Sequence, residues 1–176
     1  MFLQSRFSHS LSSLPITTKR IVIALSGGLD SSVLLHLAAQ YHKSHQHIDL
    51  LVVHVNHGLQ EQANSWQLSC QQQAEALGLP FVAEMVDVVV QARSSLEAVA
   101  REKRYQALAK HMDAHSCLLT GHHVDDQFET FMLALKRGSG LQGLAAMPPM
   151  RDFAAGCLLR PLLLVTRAEL EDYARQ

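Results

Sequence analysis

The apolar run Ile21-Val22-Ile23-Ala24-Leu25 leads without a break into Ser26-Gly27-Gly28-Leu29-Asp30-Ser31-Ser32, and that into Val33-Leu34-Leu35-His36-Leu37-Ala38-Ala39. The first segment is apolar throughout and rich in β-branched residues, the pattern of a strand covered on both faces. The last carries helical patterning. The segment between them has to turn the chain within a few residues, and its glycines permit a tight turn and a close approach of backbone to a ligand. A strand, a hydroxyl-rich glycine turn and a helix start make an anion site, because free backbone N–H groups and the positive end of the helix dipole face one point. Asp30 repels an anion there unless a cation lies between them. That points to Mg²⁺, which takes carboxylate and phosphate oxygens together. No glycine in the chain is followed by lysine, so this is not the G-x-x-x-x-G-K-[ST] loop.

The rest of the chain repeats the alternation. Apolar runs predict strands at 48–55, 81–86 and 116–120, and a last strand over 157–164 that Pro161 demotes to an edge. Helices are predicted up to His42, over 61–77, from a capping box at Ser94-Ser95-Leu96-Glu97 to about Met112, over 124–136, and after a second box at Thr166-Arg167-Ala168-Glu169. Gly138-Ser139-Gly140 and Pro148-Pro149 bound a loop. Residues 1–20 carry Arg6, Lys19 and Arg20 and no acid, and read as a short leader packed before the first strand. Residues 21–176 then form a single α/β domain, a doubly wound parallel sheet with helices on both faces. Such sheets bind ligands at the carboxyl ends of their strands. The polar clusters Ser26–Ser32, His54–His57 and Gly121–Glu129 all fall there.

Composition narrows the function. The chain has 176 residues, enough for one sizeable core, and no apolar run long enough to span a membrane. Its net charge of −1 means that nucleic acid is not gripped by charge alone. Cys70, Cys117 and Cys157 lie far apart with no C-x-x-C, which disfavours a zinc ribbon or iron–sulfur site and suits reduced thiols in a cytoplasmic protein.

Several motifs compete for the chemistry. Gly138-Ser139-Gly140-Leu141-Gln142-Gly143 fits G-x-G-x-x-G literally but follows a helix pattern, so it reads as a helix stop rather than a dinucleotide site. His54-x-Asn56-His57 and His122-His123-x-Asp125-Asp126 suit a metal-dependent hydrolase, or else polar lining of a nucleotide pocket and helix caps, with an N-cap role suiting Asp125. Asp126 and Glu129 share a helix face, suiting either a cationic substrate or plain solvation. Glu97, Arg101 and Arg104 share another, as a surface ion pair or as arginines aimed at phosphate or carboxylate.

Taken together, Ser26–Ser31, His54-Val55-Asn56-His57-Gly58-Leu59, Glu97-x-x-Ala100-Arg101-x-x-Arg104-Tyr105, Thr120-Gly121-His122-His123-x-Asp125-Asp126-Gln127-x-Glu129-Thr130, Arg137-Gly138-Ser139-Gly140 and Arg160-Pro161-Leu162-Leu163 resemble the catalytic domain of the tRNA(Ile)-lysidine synthase family. This is a branch of the N-type ATP pyrophosphatases, whose SGGxDS loop the first segment matches. The likeness covers roughly residues 20–176. Gln60 departs from the family's usual arginine, and the C-terminal portion that helps long members hold tRNA is missing from the sequence. The resemblance implies ATP and Mg²⁺, free L-lysine, a tRNA(Ile) with a CAU anticodon, no membrane, and a homodimer as a possible assembly. It implies that ATP adenylates the wobble cytidine and that lysine then displaces AMP. By carry-over, Ser26, Gly27, Gly28, Leu29, Asp30, Ser31 and His54 hold ATP, Asp30 serves Mg²⁺ through the nucleotide, Asp126 and Glu129 hold lysine, and Arg101 joins Asp30, Asp126 and Glu129 in catalysis. The lysine ε-amine has a pKa of ~10.4, so presenting it neutral at pH 7 costs ~4–5 kcal/mol, and carboxylates beside it raise that cost. Asp126 and Glu129 are therefore expected at the α-amino end.

Overall fold

The computed structural model describes residues 2–58, 62–87 and 95–176. Helix α1 (Phe2–Leu11) is followed by β1 (Arg20–Ala24), α2 (Leu29–His42), β2 (Asp49–Asn56), α3 (Ala63–Ala76), β3 (Phe81–Met85) and α4 (Leu96–Ala109). Then come β4 (Ser116–Leu119), α5 (Val124–Lys136), α6 (Leu141–Leu144), β5 (Met150–Phe153), β6 (Gly156–Leu159) and α7 (Arg167–Ala174). The six strands form one sheet in the order β3-β2-β1-β4-β6-β5. Every pair is parallel except β5–β6.

Alternation along β1 sorts the two faces. Ile21 and Ile23 join Leu34 and Leu37 of α2, Phe7 of α1, Cys70 of α3 and Leu170 of α7 in one core. Val22 points the other way, to Val53, Leu118, Leu158 and Leu108 of α4. Both faces of the central strands are thus covered, which accounts for their unbroken apolar runs. Helix α1 contributes buried Leu3, Phe7 and Leu11, and its Arg6 reaches Glu169 of α7 at 2.7 Å and the Leu164 carbonyl. Among the described residues no helix is long and apolar enough to cross a membrane.

The end of the sheet departs from the expected order. The apolar segment after Gly156 stops as a strand at Leu159, and residues 161–164 form a turn. This strand is interior, between β4 and β5, and the edge is β5, in a stretch after Pro148-Pro149 where no strand was expected. Met150-Arg151-Asp152-Phe153 is charged and exposed along most of its length, which conceals a strand from a hydrophobicity reading yet suits an edge. The tight β4–β6 start depends on Gly156, where a Cβ would lie 2.2 Å from the Ser116 carbonyl oxygen. The cap of α4 is Ser95, whose side chain accepts the Ala98 N–H at 3.1 Å; Ser94 lies outside the described residues. The second capping box, Thr166 with Glu169, forms as expected.

Candidate functional site

Strand order reverses at β1, with β2 on one side and β4 on the other. The carboxyl ends of these three strands open on a cleft of about 370 Å³. Its lining includes Leu25 and Ser26 after β1, His54 to Gly58 at the end of β2, and Thr120 to His122 after β4. This is the crevice position at which open α/β sheets bind ligands.

The glycine turn closes the cleft at the start of α2. Gly27 has φ +87°, and a Cβ on it would meet Cys70 Sγ at 3.2 Å, so the position suits only glycine. The Ser31 hydroxyl donates to the Gly28 carbonyl at 2.9 Å and accepts the Ser26 N–H at 3.1 Å. With its one proton committed, Ser31 accepts from the Ser26 hydroxyl at 3.0 Å. The loop is thereby tied to the first turn of α2, whose N-cap Gly28 offers no side-chain cap. An uncapped helix start leaves N–H groups free for an anion.

Asp30 is held from two sides. Arg167 Nη1 of α7 lies 2.7 Å and 2.8 Å from its two carboxylate oxygens. His123 Nε2 lies 3.7 Å from Asp30 Oδ2 and also 3.7 Å from Asp126 Oδ2. His123 Nδ1 accepts the Asp125 N–H at 3.2 Å, which places the proton of a neutral ring on Nε2, between the two carboxylates. His123, not Asp125, is therefore the N-cap of α5, and Asp126 returns a bond from the His123 N–H at 2.8 Å. The expected Asp125 cap does not form, because α5 starts at Val124 and Asp125 already lies in its first turn, with its side chain exposed. Gly121 sets the spacing, since a Cβ there would lie 3.2 Å from Asp30 backbone atoms and 3.3 Å from Ser31 N.

Two histidines in the cleft are neutral for physical reasons. His54 Nδ1 faces the Leu25 carbonyl at 2.8 Å and must donate to it, which leaves Nε2 as an acceptor. Burial lowers its pKa. His122 bonds Thr120 Oγ1 at 2.9 Å, and its pKa is pushed down to about 4 by burial first and then by Arg160, Arg101 and Arg104, against the pull of Asp126.

The cleft thus gathers Ser26, Asp30, Ser31, His54 and Asp126 from the predicted set. Gly27 and Gly28 form the turn behind it, and Leu29 opens α2. Glu129 is exposed one helical turn beyond Asp126 and does not line the cleft. Arg101 is also exposed, its guanidinium 5.7 Å from the Tyr105 ring centroid, while Arg104 and Tyr105 line the cleft directly. Arg167 was legible only as the second residue of a capping box, and a contact spanning α2 and α7 leaves no local sequence signal. None of the three cysteines lines the cleft, Cys70 packing behind the turn at Gly27, and burial raises its thiol pKa to about 11. Among the described residues no three His, Cys, Asp or Glu side chains converge as a metal site, unlike the hydrolase alternative. The G-x-G-x-x-G run lies after α5, where Gly138 takes φ +66° just past the helix end.

The PP-loop domain family matches residues 3–176. A tRNA(Ile)-lysidine synthase of Histophilus somni (strain 129Pt) is 44% identical over 175 residues, covering 99% of this chain and 40% of that protein. One from Vibrio cholerae (strain O395) is 49% identical over 158 residues, 90% of this chain and 36% of that protein. The chain therefore spans about 40% of the length of the curated relatives it matches. Among solved structures, the U34-tRNA thiolase NcsA from Methanococcus maripaludis superposes with a TM-score of 0.74 at 18% identity, covering 99% of this chain and 63% of that one.

Proposed function

We infer, from the premise that this chain belongs to the PP-loop domain family, that it adenylates the wobble cytidine of a CAU-anticodon tRNA(Ile) and ligates lysine to it. The observation that carries this reading is the run of relatives named tRNA(Ile)-lysidine synthase, 44% and 49% identical over 99% and 90% of this chain.

In the first step the cytidine O2 attacks the α-phosphorus of ATP, the α–β bridge breaks and pyrophosphate leaves. The turn from Ser26 to Ser31 and the uncapped start of α2 receive the phosphates. His54 Nε2 accepts from a donor on the nucleotide. Asp30, which lines the cleft beside the phosphate turn, fits an ion held mainly by phosphates with one carboxylate, and among the described residues there is no protein cage. When bound, Mg²⁺ would neutralise charge between the Asp30 carboxylate and the phosphates. Arg167 keeps the Asp30 carboxylate oriented.

In the second step the lysine ε-nitrogen attacks C2 of the adenylated cytidine and AMP leaves with the oxygen. Asp126 and Glu129 take the α-amino end. The ε-amine lies on the side of His122, Arg104 and Arg160, where the charge and burial that keep His122 neutral also favour an uncharged amine. That division answers the cost of deprotonating lysine. A sulfur-transfer reaction gains no support from the cysteines, none of which lines the cleft.

The test is the product pattern with Mg²⁺ and lysine. AMP and pyrophosphate are expected with the CAU tRNA and not with a wobble-substituted tRNA. ADP and phosphate, or cleavage indifferent to the tRNA, would overturn the reading.

A further inference from the structure

Beside the cleft, three guanidinium groups gather round one ring. The Arg101, Arg104 and Arg151 carbons Cζ lie 5.7, 5.9 and 5.8 Å from the Tyr105 centroid. Arg151 also lies 5.7 Å from the Phe153 ring, which meets Tyr105 edge-on at 5.6 Å. Residues 151 and 153 share one face of β5 because side chains alternate along a strand. A fourth cation, Arg160, is 4% exposed; its Nη1 donates to the Pro148 carbonyl at 2.7 Å, and its Nε is buried without a partner.

Among the described residues, none of these four arginines has a carboxylate within 4.0 Å. Among the other described arginines, Arg6, Arg20, Arg167 and Arg175 face acids, and only the exposed Arg137 at the end of α5 does not. With a net charge of −1, the cluster is a local excess and not a general basicity. Like charges on three separate segments are completed by an anion extended enough to reach several of them. Cation–π contact preorganises such guanidinium groups without neutralising them. Tyr105 belongs both to the cleft lining and to this patch, so the patch is continuous with the cleft mouth.

We infer that the edge formed by Arg151, Tyr105 and Phe153 is a contact for the phosphate–ribose backbone of the RNA strand whose base enters the cleft, with Arg151 taking a phosphate. The inference rests on the tRNA reading of the cleft. It assigns to β5, a strand with no part in the nucleotide site, the task of positioning the strand outside it. A phosphate contact fixes position and carries no sequence information.

The test measures affinity of the full-length protein for CAU-anticodon tRNA and for its wobble-substituted counterpart over a range of KCl, in the parent, Arg151→Gln and Arg151→Lys. Arg151→Gln should weaken both RNAs alike, about five- to tenfold, and reduce the slope of log K against log salt by about 0.7–0.9. Arg151→Lys should keep the slope. The KM values for ATP and lysine should stay within about twofold of the parent. An unchanged slope in Arg151→Gln, whether or not its melting temperature falls, overturns the inference and makes Arg151 a clamp between β5 and α4. A raised lysine KM at unchanged RNA affinity overturns it in favour of a small carboxylate. A parent protein that binds neither RNA removes the tRNA reading itself, and the inference with it.

Discussion

A single nitrogen of Arg167, Nη1, lies 2.7 Å from Oδ1 and 2.8 Å from Oδ2 of Asp30, joining α7 to the first turn of α2 across 137 residues of sequence. Both side chains are partly exposed, so the pair contributes little to stability. Its role is to aim a carboxylate. Arg167→Ala should lower the rate of AMP formation and weaken its Mg²⁺ dependence by about 10–100-fold, as loss of an orienting partner does, while shifting the melting temperature by only a few degrees. Parent-like Mg²⁺ titration of AMP formation in this variant would show that Asp30 needs no such partner.

Gly121 and Gly156 separate the site from its scaffold. A Cβ at Gly121 lies 3.2 Å from Asp30 backbone atoms, so Gly121→Ala should push β4 away from the phosphate turn, costing about 1–3 kcal/mol and activity with it. A Cβ at Gly156 lies 2.2 Å from the Ser116 carbonyl oxygen, with rigid backbone on both sides. Gly156→Ala should destabilise more than Gly121→Ala in chemical denaturation. The opposite order would contradict the packing described.

His122 gives the protein an acid sensitivity of known sign. Its folded pKa of about 4 lies below the ordinary 6.5, owing to burial and to Arg160, Arg101 and Arg104, against Asp126. Above 6.5 the ring is neutral in both states. As pH falls from 6.5 to about 4 only the unfolded chain takes up the proton, so the stability due to neutral His122 is lost over that window. In His122→Gln that component is absent, and the parent should lose stability relative to the variant between those two values. A constant difference across the window would contradict the assignment.

Glu129 and Arg104 test the two ends of lysine. Glu129→Ala should raise the KM for lysine about tenfold and leave adenylation intact, because Glu129 is exposed and caps nothing. Asp126 is the less clean probe, since it also accepts the His123 N–H at the start of α5. Arg104→Gln should move the pH dependence of lysine use toward higher pH, because a removed positive charge favours the charged amine. Normal lysine saturation in Glu129→Ala, or an unmoved profile in Arg104→Gln, would reject that division of roles.

What the sequence made legible was local. Ile21–Leu25 and Ser116–Leu119 announce buried strands because both faces are covered, and the glycine turn announces the anion site because its chemistry lies within a few consecutive residues. Helix α5 came out with its observed bounds, Val124–Lys136, from its helical patterning, followed by the glycine stop at Gly138. What the sequence concealed depends on approach between distant segments. Arg167 reaching Asp30, Arg160 lodged under the Pro148 carbonyl and Arg151 lying on Tyr105 have no periodicity to betray them. The cap is His123 and not Asp125 because α5 starts at Val124, which puts Asp125 already inside its first turn, while the buried His123 side chain accepts the Asp125 N–H.

The central claim is ligation, and its most direct test is transfer of isotopically labelled lysine to the wobble nucleoside, followed by nuclease digestion and mass spectrometry. The full-length protein should place the label on that cytidine only in the presence of ATP, Mg²⁺ and the CAU tRNA, and Asp30→Ala should place none. Label-free tRNA from the parent under conditions that consume ATP, or labelling that survives Asp30→Ala, would contradict the account.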